Sequence, residues 1–489
     1  MDKEEIKKEK KKKKDEEKLK LKEESQKLPT KIIIYKGKEK EIPIHNPDKT
    51  KCEFYIIKKF KYCHFDKYNG SEFCVYHKPN EKEEFLICPY DSKHRILKSK
   101  YENHLKTCNT LKDENKQKEF PWYSQNINKA KENKNYPLPS NEELDKLYNM
   151  KFEDLEINEY SNLINLIISS YNKCKNYYLK YITENNLNEY IELNFNKNNE
   201  NKDINYKISG ININLEKDLK ETDQIIHSKK HEIQNEAIGK LIFNSKLMEI
   251  NTENCIIIEF GAGKGGLSEE INKINNEKSV IILLERKGGL RYKKEKKRKN
   301  MIRYKTDIID FDLNYLNKIE EIPAEKNTIE KLKESFYLIG IAKHICGCAF
   351  DISLTCLFNY TNFEKIKGLC MATCCHHICR VELLNNLDFY FDYLGMNIKD
   401  IIFLFKATSW IFGSINDKEK ENKSNKEKLI DDIFIKMNIS KKYIGLISKY
   451  IVDIGRCFCL INKGFKVFYI KYCDNTITTE NNLILALKN

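Results

Sequence analysis

Long apolar runs are missing from this 489-residue chain. No stretch of about 18 apolar residues occurs, so no membrane-spanning helix is expected. Residues 1–27 are polar and charged and lack an apolar h-region, so no secretory signal is expected either. The 17 cysteines are then read as thiols or metal ligands in a reducing compartment, not as a disulfide framework. Arginine is nearly missing: seven of the 87 basic residues are Arg, and six of those lie between Arg286 and Arg456. In a chain that writes almost every cation as Lys, an Arg marks a place that needs its planar fork. Histidine is also scarce, and seven of the ten fall in Cys-bearing segments. What abounds is Lys, with a net charge of +14. That surplus favours a polyanionic partner such as nucleic acid. The heavy use of Lys, Asn and Ile makes charge alone a weak argument. The start "KKEKKKKKDEEKLKLK" reads as a nuclear address or a plain basic tail, so nucleus and/or cytoplasm is the expected location.

Residues 1–50 read as a basic disordered tail with a short strand-like "KIIIY" piece. Residues 51–79 and 85–110 are two Cys/His-rich modules too small for a hydrophobic core. Residues 111–226 read as a linker and helical region with an Asn/Lys-rich insert. From 227 to 489 apolar strands alternate with amphipathic helices, which predicts a parallel α/β sheet, broken by a low-complexity insert at about 414–430.

The first module spaces Cys52, Cys63, Cys74 and His77 as C-x10-C-x10-C-x2-H. The second spaces Cys88, His94, His104 and Cys108 as C-x5-H-x9-H-x3-C. Four thiol and imidazole ligands suit a closed, tetrahedral, structural zinc site. In segments this short the metal must supply the folding free energy that a core would otherwise give. His104 and Cys108, four apart, share one face of a helix. The surrounding Lys, with Phe54, Tyr55, Phe60 and Tyr62, fit phosphate contact and base stacking, or simply a basic solvated face.

"NCIIIEFGAGKGGLSEEI" reads as a strand, a glycine turn and a helix start. Gly261, Gly263 and Gly265 allow close approach of a ligand to a helix N-terminus. Gly261, Gly263 and Gly266 also satisfy the G-x-G-x-x-G pattern, which keeps NAD in play, whereas a P-loop is excluded because Lys264 precedes Gly. The acidic residue two before the first glycine, Glu259, favours S-adenosylmethionine, whose cationic end a carboxylate can meet directly or through water. "VIILLER" is a second strand ending at Glu285, placed to accept ribose hydroxyls. Asp307 ends a third strand where an adenine contact is expected. With Lys264 these residues form the candidate cofactor set.

"FYLIGIAKHICGCAFDISL" is a buried strand that ends at Lys343 and His344, followed by a helix carrying Asp351. Ligands of open α/β sheets bind beyond the carboxyl ends of strands, which places these three near the reacting group. "KGLCMATCCHHICR" brings Cys374, Cys375, His376, His377 and Cys379 to the same edge. Neighbouring residues of a strand point to opposite faces, so residues 374–377 cannot all ligate one ion. A third metal, a cysteine nucleophile and a pocket wall with His contacting substrate all remain open, the last preferred. Arg286, Arg291, Arg380 and Arg456 are candidate phosphate holders, with surface ion pairs as the alternative.

Taken in order, the CCCH finger, the CHHC finger, "EFGAGKG", "KHICGCAFDISL", "CCHHICR", "DIGR" and "TTENNLILA" closely resemble the eukaryotic tRNA ribose 2′-O-methyltransferases that act at nucleotide 4 of the acceptor stem. The second finger also resembles one in a minor-spliceosome protein. The resemblance covers both fingers and nearly all of 227–489, departing at Ile345, Ile378 and the Lys/Asn-rich inserts. It implies a Rossmann-like methyltransferase fold, S-adenosylmethionine as donor, two structural zinc ions and tRNA as substrate, with no obligate protein partner in view. His344 is then the first candidate base, with His376, His377 and Lys343 as alternatives and Asp351 as an orienting group. A base methyltransferase using a Cys nucleophile and a non-catalytic RNA-binding protein are the rival readings.

Overall fold

Strands form where the sequence stacks β-branched and aliphatic residues without a break. "CIIIEF" and "VIILL" are buried at every position, as strands covered on both faces must be. The computed structural model describes residues 30–35, 38–56, 61–68, 70–74, 77, 85–90, 94–131, 135–187, 207–208, 227–286, 293–412 and 425–488. The start of the basic tail, the insert within 188–226 (apart from 207–208), the 413–424 part of the second insert, Phe60 and Arg291 lie outside the described residues. The chain divides into two units, Met1–Asp113 and Glu114–Asn489. Among the described residues no helix is long and apolar enough to cross a membrane.

In the first unit, β1 (Thr30–Tyr35) and β2 (Lys38–Pro43) pair as an antiparallel hairpin. The "KIIIY" piece therefore has a partner inside the stretch expected as tail. β3 (Tyr55–Ile56) pairs with β4 (Lys61–Tyr62). β5 (Phe85–Ile87) pairs with β6 (Arg95–Leu97), and α1 (Tyr101–Thr107) follows. The buried cluster of the first module is Cys52, Cys63 and Cys74 with Phe73 against it.

The second unit contains, in order, α2 (Asn141–Asn149), α3 (Ile157–Glu184), β7 (Lys207–Ile208), α4 (His227–Asn244), β8 (Cys255–Phe260), α5 (Gly266–Ile274), β9 (Val280–Leu284), β10 (Met301–Tyr304), α6 (Lys326–Glu334), β11 (Tyr337–Cys346), α7 (Ala349–Phe358), β12 (Ile366–Cys374), α8 (Ile398–Ala407), α9 (Asn425–Met437), α10 (Lys441–Asn462), β13 (Lys466–Lys471) and β14 (Asn482–Leu487). One sheet has the order β10-β9-β8-β11-β12-β14-β13-β7. β8 pairs in parallel with both β9 and β11, while β14 runs antiparallel between β12 and β13. The chain leaves β8 toward β9 and β10, then crosses back to β11. The switch point therefore falls between β8 and β11, and their carboxyl ends form the ligand edge.

Of the region expected as linker and helix, the described residues from Glu114 to 187 belong to this unit, and the expected helix is α3. Tyr178 and Tyr181 on α3 accept hydrogen bonds from the β13 amides of Tyr469 (2.6 Å) and Val467 (2.9 Å). Upstream, Asn128 Nδ2 donates to the carbonyls of Ile308 (2.8 Å) and Phe311 (2.7 Å). Residues 425–430, counted within the second insert, begin α9, whose Ile430 and Phe434 join the core.

Candidate active site and metal centres

Each small module gathers its four expected ligands. The ligand atoms of Cys52, Cys63, Cys74 and His77 lie within 4.8 Å of one another, as do those of Cys88, His94, His104 and Cys108. Sulfur pairs stand 3.9 Å apart in the first (Cys63–Cys74) and 3.8 Å in the second (Cys88–Cys108). A tetrahedron with Zn–S of about 2.3 Å has an edge of about 3.8 Å, so both sets fit zinc. His104 Nε2 is buried and has no hydrogen-bond partner, a cost that a metal bond removes. Around the first set, Asn46 Nδ2 donates to the carbonyls of Cys52 (2.8 Å) and Cys63 (3.1 Å). Phe54 stacks on the His77 ring at 3.9 Å, and Tyr55 packs edge-on against Tyr62 at 4.9 Å. These three aromatics thus serve the module itself.

In the second unit the glycine loop leaves β8 with Gly261 at φ +66° and Gly263 at φ +52°, and a Cβ at either would meet nothing within 4 Å. That open ground beside the α5 N-terminus is what a bound cofactor needs. Gly263 N–H donates to Glu285 Oε2 at 2.8 Å, so the carboxylate ending β9 sits against the loop. Gly265, at φ +79°, caps α5, and the Lys264 carbonyl accepts from Lys294 N–H at 3.1 Å. Glu259 differs from expectation. It is buried, and Oε2 accepts from both the Ser268 amide (3.2 Å) and the Ser268 hydroxyl. It ties the strand to the first turn of α5. Burial pushes its carboxyl up to about 7. Asp307 also differs: Oδ1 caps a turn through Ile309 N–H (3.2 Å) and Oδ2 takes Arg286 Nη1 (3.1 Å).

At the end of β11 the register slips between Ala342 and Ile345, and His344 takes φ +58°. For a side chain other than Gly this conformation carries strain, which clusters at functional sites. His344 Nε2 lies 3.0 Å from Gln234 Oε1, and His231 Nδ1 lies 3.3 Å from the same oxygen. Burial, helped by the charges of Lys343 and His231, holds the His344 imidazole down at about 4, so it is neutral at physiological pH. Lys343 Nζ donates to the His231 carbonyl (3.3 Å) and to Asn235 Oδ1, and burial lowers it to about 8. Lys343 is thereby tied to α4.

Three residues expected at the substrate are sealed inside. Asp351, His376 and Arg456 are 2 %, 2 % and 1 % exposed. Arg456 Nη2 donates to Asp351 Oδ2 (2.8 Å) and the Gly347 carbonyl (2.9 Å), while Nη1 reaches Asp453 Oδ1 (3.2 Å). Asp453 also accepts from His376 Nε2 (2.7 Å), Thr373 Oγ1 (3.0 Å) and Tyr469 Oη (3.0 Å). Burial opposes the Asp453 charge, but His376, Arg456 and Lys449 outweigh it and hold the carboxyl at about 2. A buried Arg in such a network cannot hold an RNA phosphate, and a buried His–Asp pair cannot reach a ribose. His377 remains exposed beside it. Arg380 pairs with Glu382 and Asp145 (3.5 Å) and lies 4.2 Å over Tyr148. With Arg286 on Asp307, the ion-pair alternative holds for both.

Sequence reasoning missed Gln234, His231, Asp453 and Cys346. His231 carried a faint signal, being one of the few histidines outside the Cys-bearing segments. Gln234 carried none, and Asp453 was visible only as the first residue of "DIGR", with no role attached to it.

The comparisons with known proteins agree with this arrangement. A family model described as "Methyltransferase TRM13" matches residues 233–487, and one described as "U11-48K-like CHHC zinc finger" matches residues 85–109. A protein of Vanderwaltozyma polyspora named tRNA:m(4)X modification enzyme TRM13 is 26 % identical over 475 residues, 91 % of this chain and 99 % of that one. A homolog of that name from Dictyostelium discoideum is 27 % identical over 453 residues, covering 84 % and 75 %. The Homo sapiens homolog is 25 % identical over 512 residues, covering 91 % and 95 %.

Proposed function

The chain belongs to the TRM13 methyltransferase family, and from that premise we propose that it methylates the ribose 2′-hydroxyl of nucleotide 4 in the acceptor stem of tRNA. The Gly261–Gly265 loop and Glu285 would hold S-adenosylmethionine, which when bound would supply an electrophilic methyl group. The single observation that carries the ribose reading is His344: neutral, strained and half-buried at the carboxyl end of β11, beside the switch point. A ribose hydroxyl is a poor nucleophile until it is aligned and its proton is removed during attack. With Nε2–H donated to Gln234 Oε1, the His344 Nδ1 lone pair faces the task of accepting that proton. As the ribose oxygen takes the methyl group, the His344 imidazole would accept the hydroxyl proton and later release it to solvent. The fingers, with their Lys-rich surroundings, would grip the duplex through backbone and 2′-hydroxyls, since the RNA major groove is closed to side chains. Nucleus and/or cytoplasm stays the proposed location.

A second reading has one observation in its favour. Cys346 is exposed, and its hydrogen bond with Cys374 holds the thiol low, at about 6. That is nucleophile chemistry, and it would serve base methylation. Cys374 itself is buried with its thiol pushed far up, so it is not the nucleophile. The test is full-length protein with S-adenosylmethionine and unmodified tRNA transcripts, followed by alkaline hydrolysis and mass spectrometry. A 2′-O-methyl group blocks cleavage, so an alkali-resistant dinucleotide from the acceptor stem is expected. Methylated bases without a resistant dinucleotide would move the chemistry to Cys346.

A further inference from the structure

Three thiols converge where β11 and β12 end. The sulfurs of Cys346, Cys374 and Cys375 all lie within 4.8 Å of one another, and Cys346 Sγ is 3.3 Å from Cys374 Sγ. Cys346 and Cys374 are direct register partners across the parallel strand pair. Backbone geometry brings in the third. In a continued strand Cys375 would point away from Cys374. It sits instead at φ +50°, a left-handed conformation that costs a non-glycine residue about 1–2 kcal/mol. The turn ends the strand and returns the third sulfur to the other two. Cys374 is buried, Cys375 half-buried and Cys346 exposed, so the cluster has a dry base and an open mouth.

We propose that Cys346, Cys374 and Cys375 form a third zinc site, held by three thiolates, with a fourth coordination position open to solvent. Thiolate sets select soft or borderline ions, zinc and copper(I) above all. Reaching the tetrahedral edge of about 3.8 Å requires Cys346 and Cys374 to part by about 0.5 Å, a side-chain adjustment. A disulfide would require closure to about 2.05 Å and would give Cys375 and its strained backbone no role. Among the described residues no fourth Cys, His, Asp or Glu joins this set, and Glu480 is paired with Lys449. Binding releases the thiol protons to solvent as the three sulfurs become thiolates.

The test is metal analysis of the full chain, purified under reducing conditions and assayed for zinc and copper by mass spectrometry beside Cys346→Ser and Cys375→Ser. About three zinc ions per wild-type chain are expected, and about one fewer in each variant, because the two finger tetrads are closed without these thiols. Cobalt(II) loading gives a second readout that survives a poorly folding variant: the wild type should show thiolate-to-cobalt absorption in excess of the five finger thiolates. No more than two ions in the wild type, or variants that lose none, overturns the proposal. So does copper in the third place, or a Cys346–Cys374 disulfide found by peptide mapping of the protein as purified with zinc present.

Discussion

At the scale of single residues, scarcity was informative, but about a different partner. Arginine was expected at phosphates. Four arginines of the second unit meet carboxylates instead: Arg298 forks onto Glu269 (2.9 and 3.2 Å), Arg303 onto Glu295 (2.6 and 3.1 Å), Arg286 meets Asp307, and Arg456 bridges Asp351 and Asp453. At Glu269 and Glu295 the planar fork makes a two-nitrogen contact that Lys cannot make. His344 is the residue on which the chemistry is staked. Removing a positioned base costs about 10²–10⁴-fold in rate, so His344→Ala should lose that much kcat and keep its affinity for S-adenosylmethionine. A loss in cofactor binding of the same size would make His344 a structural residue. The pH profile is a second check. An imidazole held at about 4 gains its proton only as pH falls through that value. Single-turnover methylation should therefore show no acid limb between pH 5.5 and 8, and an inflection near the ordinary imidazole value of about 6.5 would give the proton to another group. Gly263→Ala separates loop chemistry from folding. At φ +52°, with open space where the new Cβ would lie, the substitution should cost about 1–2 kcal/mol of stability and weaken cofactor binding about tenfold or more, measured by calorimetry; unchanged affinity would place the cofactor elsewhere.

At the scale of elements, α10 decides more than its sequence discloses. Arg456, the last residue of "DIGR", was expected to hold a phosphate through its planar fork. The structure turns both charges inward, where Asp453 and Arg456 fasten the Gly347 turn, the end of β12 and α7 into one block. Gly347 shows how tight that block is: at φ +55°, a Cβ there would lie 2.6 Å from Ile378 Cγ1. The zinc tetrads and the glycine loop were legible because their residues are close in sequence and their spacing is the signal. The Asp453 network was not, because Thr373 and His376 lie 80 and 77 positions away from it, and no local pattern encodes that distance. The strand alternation and the carboxyl-edge rule correctly placed Lys343, His344 and the Cys-rich loop at one edge. They could not say which side chains turn inward. Asp453→Ala should lower the stability of the second unit by about 3–5 kcal/mol, since it leaves Arg456 and His376 buried without their shared partner. Denaturant unfolding followed by tyrosine and tryptophan emission measures this, and a loss under about 1 kcal/mol would mean the block relaxes around the gap.

At the scale of the whole molecule, the two units rest on different physics, and that separates their failures. The second unit has one continuous apolar core running from Leu144 to Ala486, which makes its fold independent of metal. The first module has three cysteines and a Phe, and the second has two hairpin strands and a short helix around its tetrad. Without zinc neither has enough buried surface to offset chain entropy. Chelation of the full-length protein should therefore unfold the fingers and leave the methyltransferase unit standing. Circular dichroism should show a small loss of structure at low chelator and the main thermal transition largely unmoved. S-adenosylmethionine affinity should stay within about twofold, while tRNA affinity should fall at least about tenfold, equivalent to about 1.4 kcal/mol. The tRNA loss should shrink as salt rises, because the contacts removed are chiefly to phosphate. If tRNA binding survives chelation while finger structure is gone, the second unit alone carries recognition, and the Lys-rich surroundings of the fingers are no more than a solvated face.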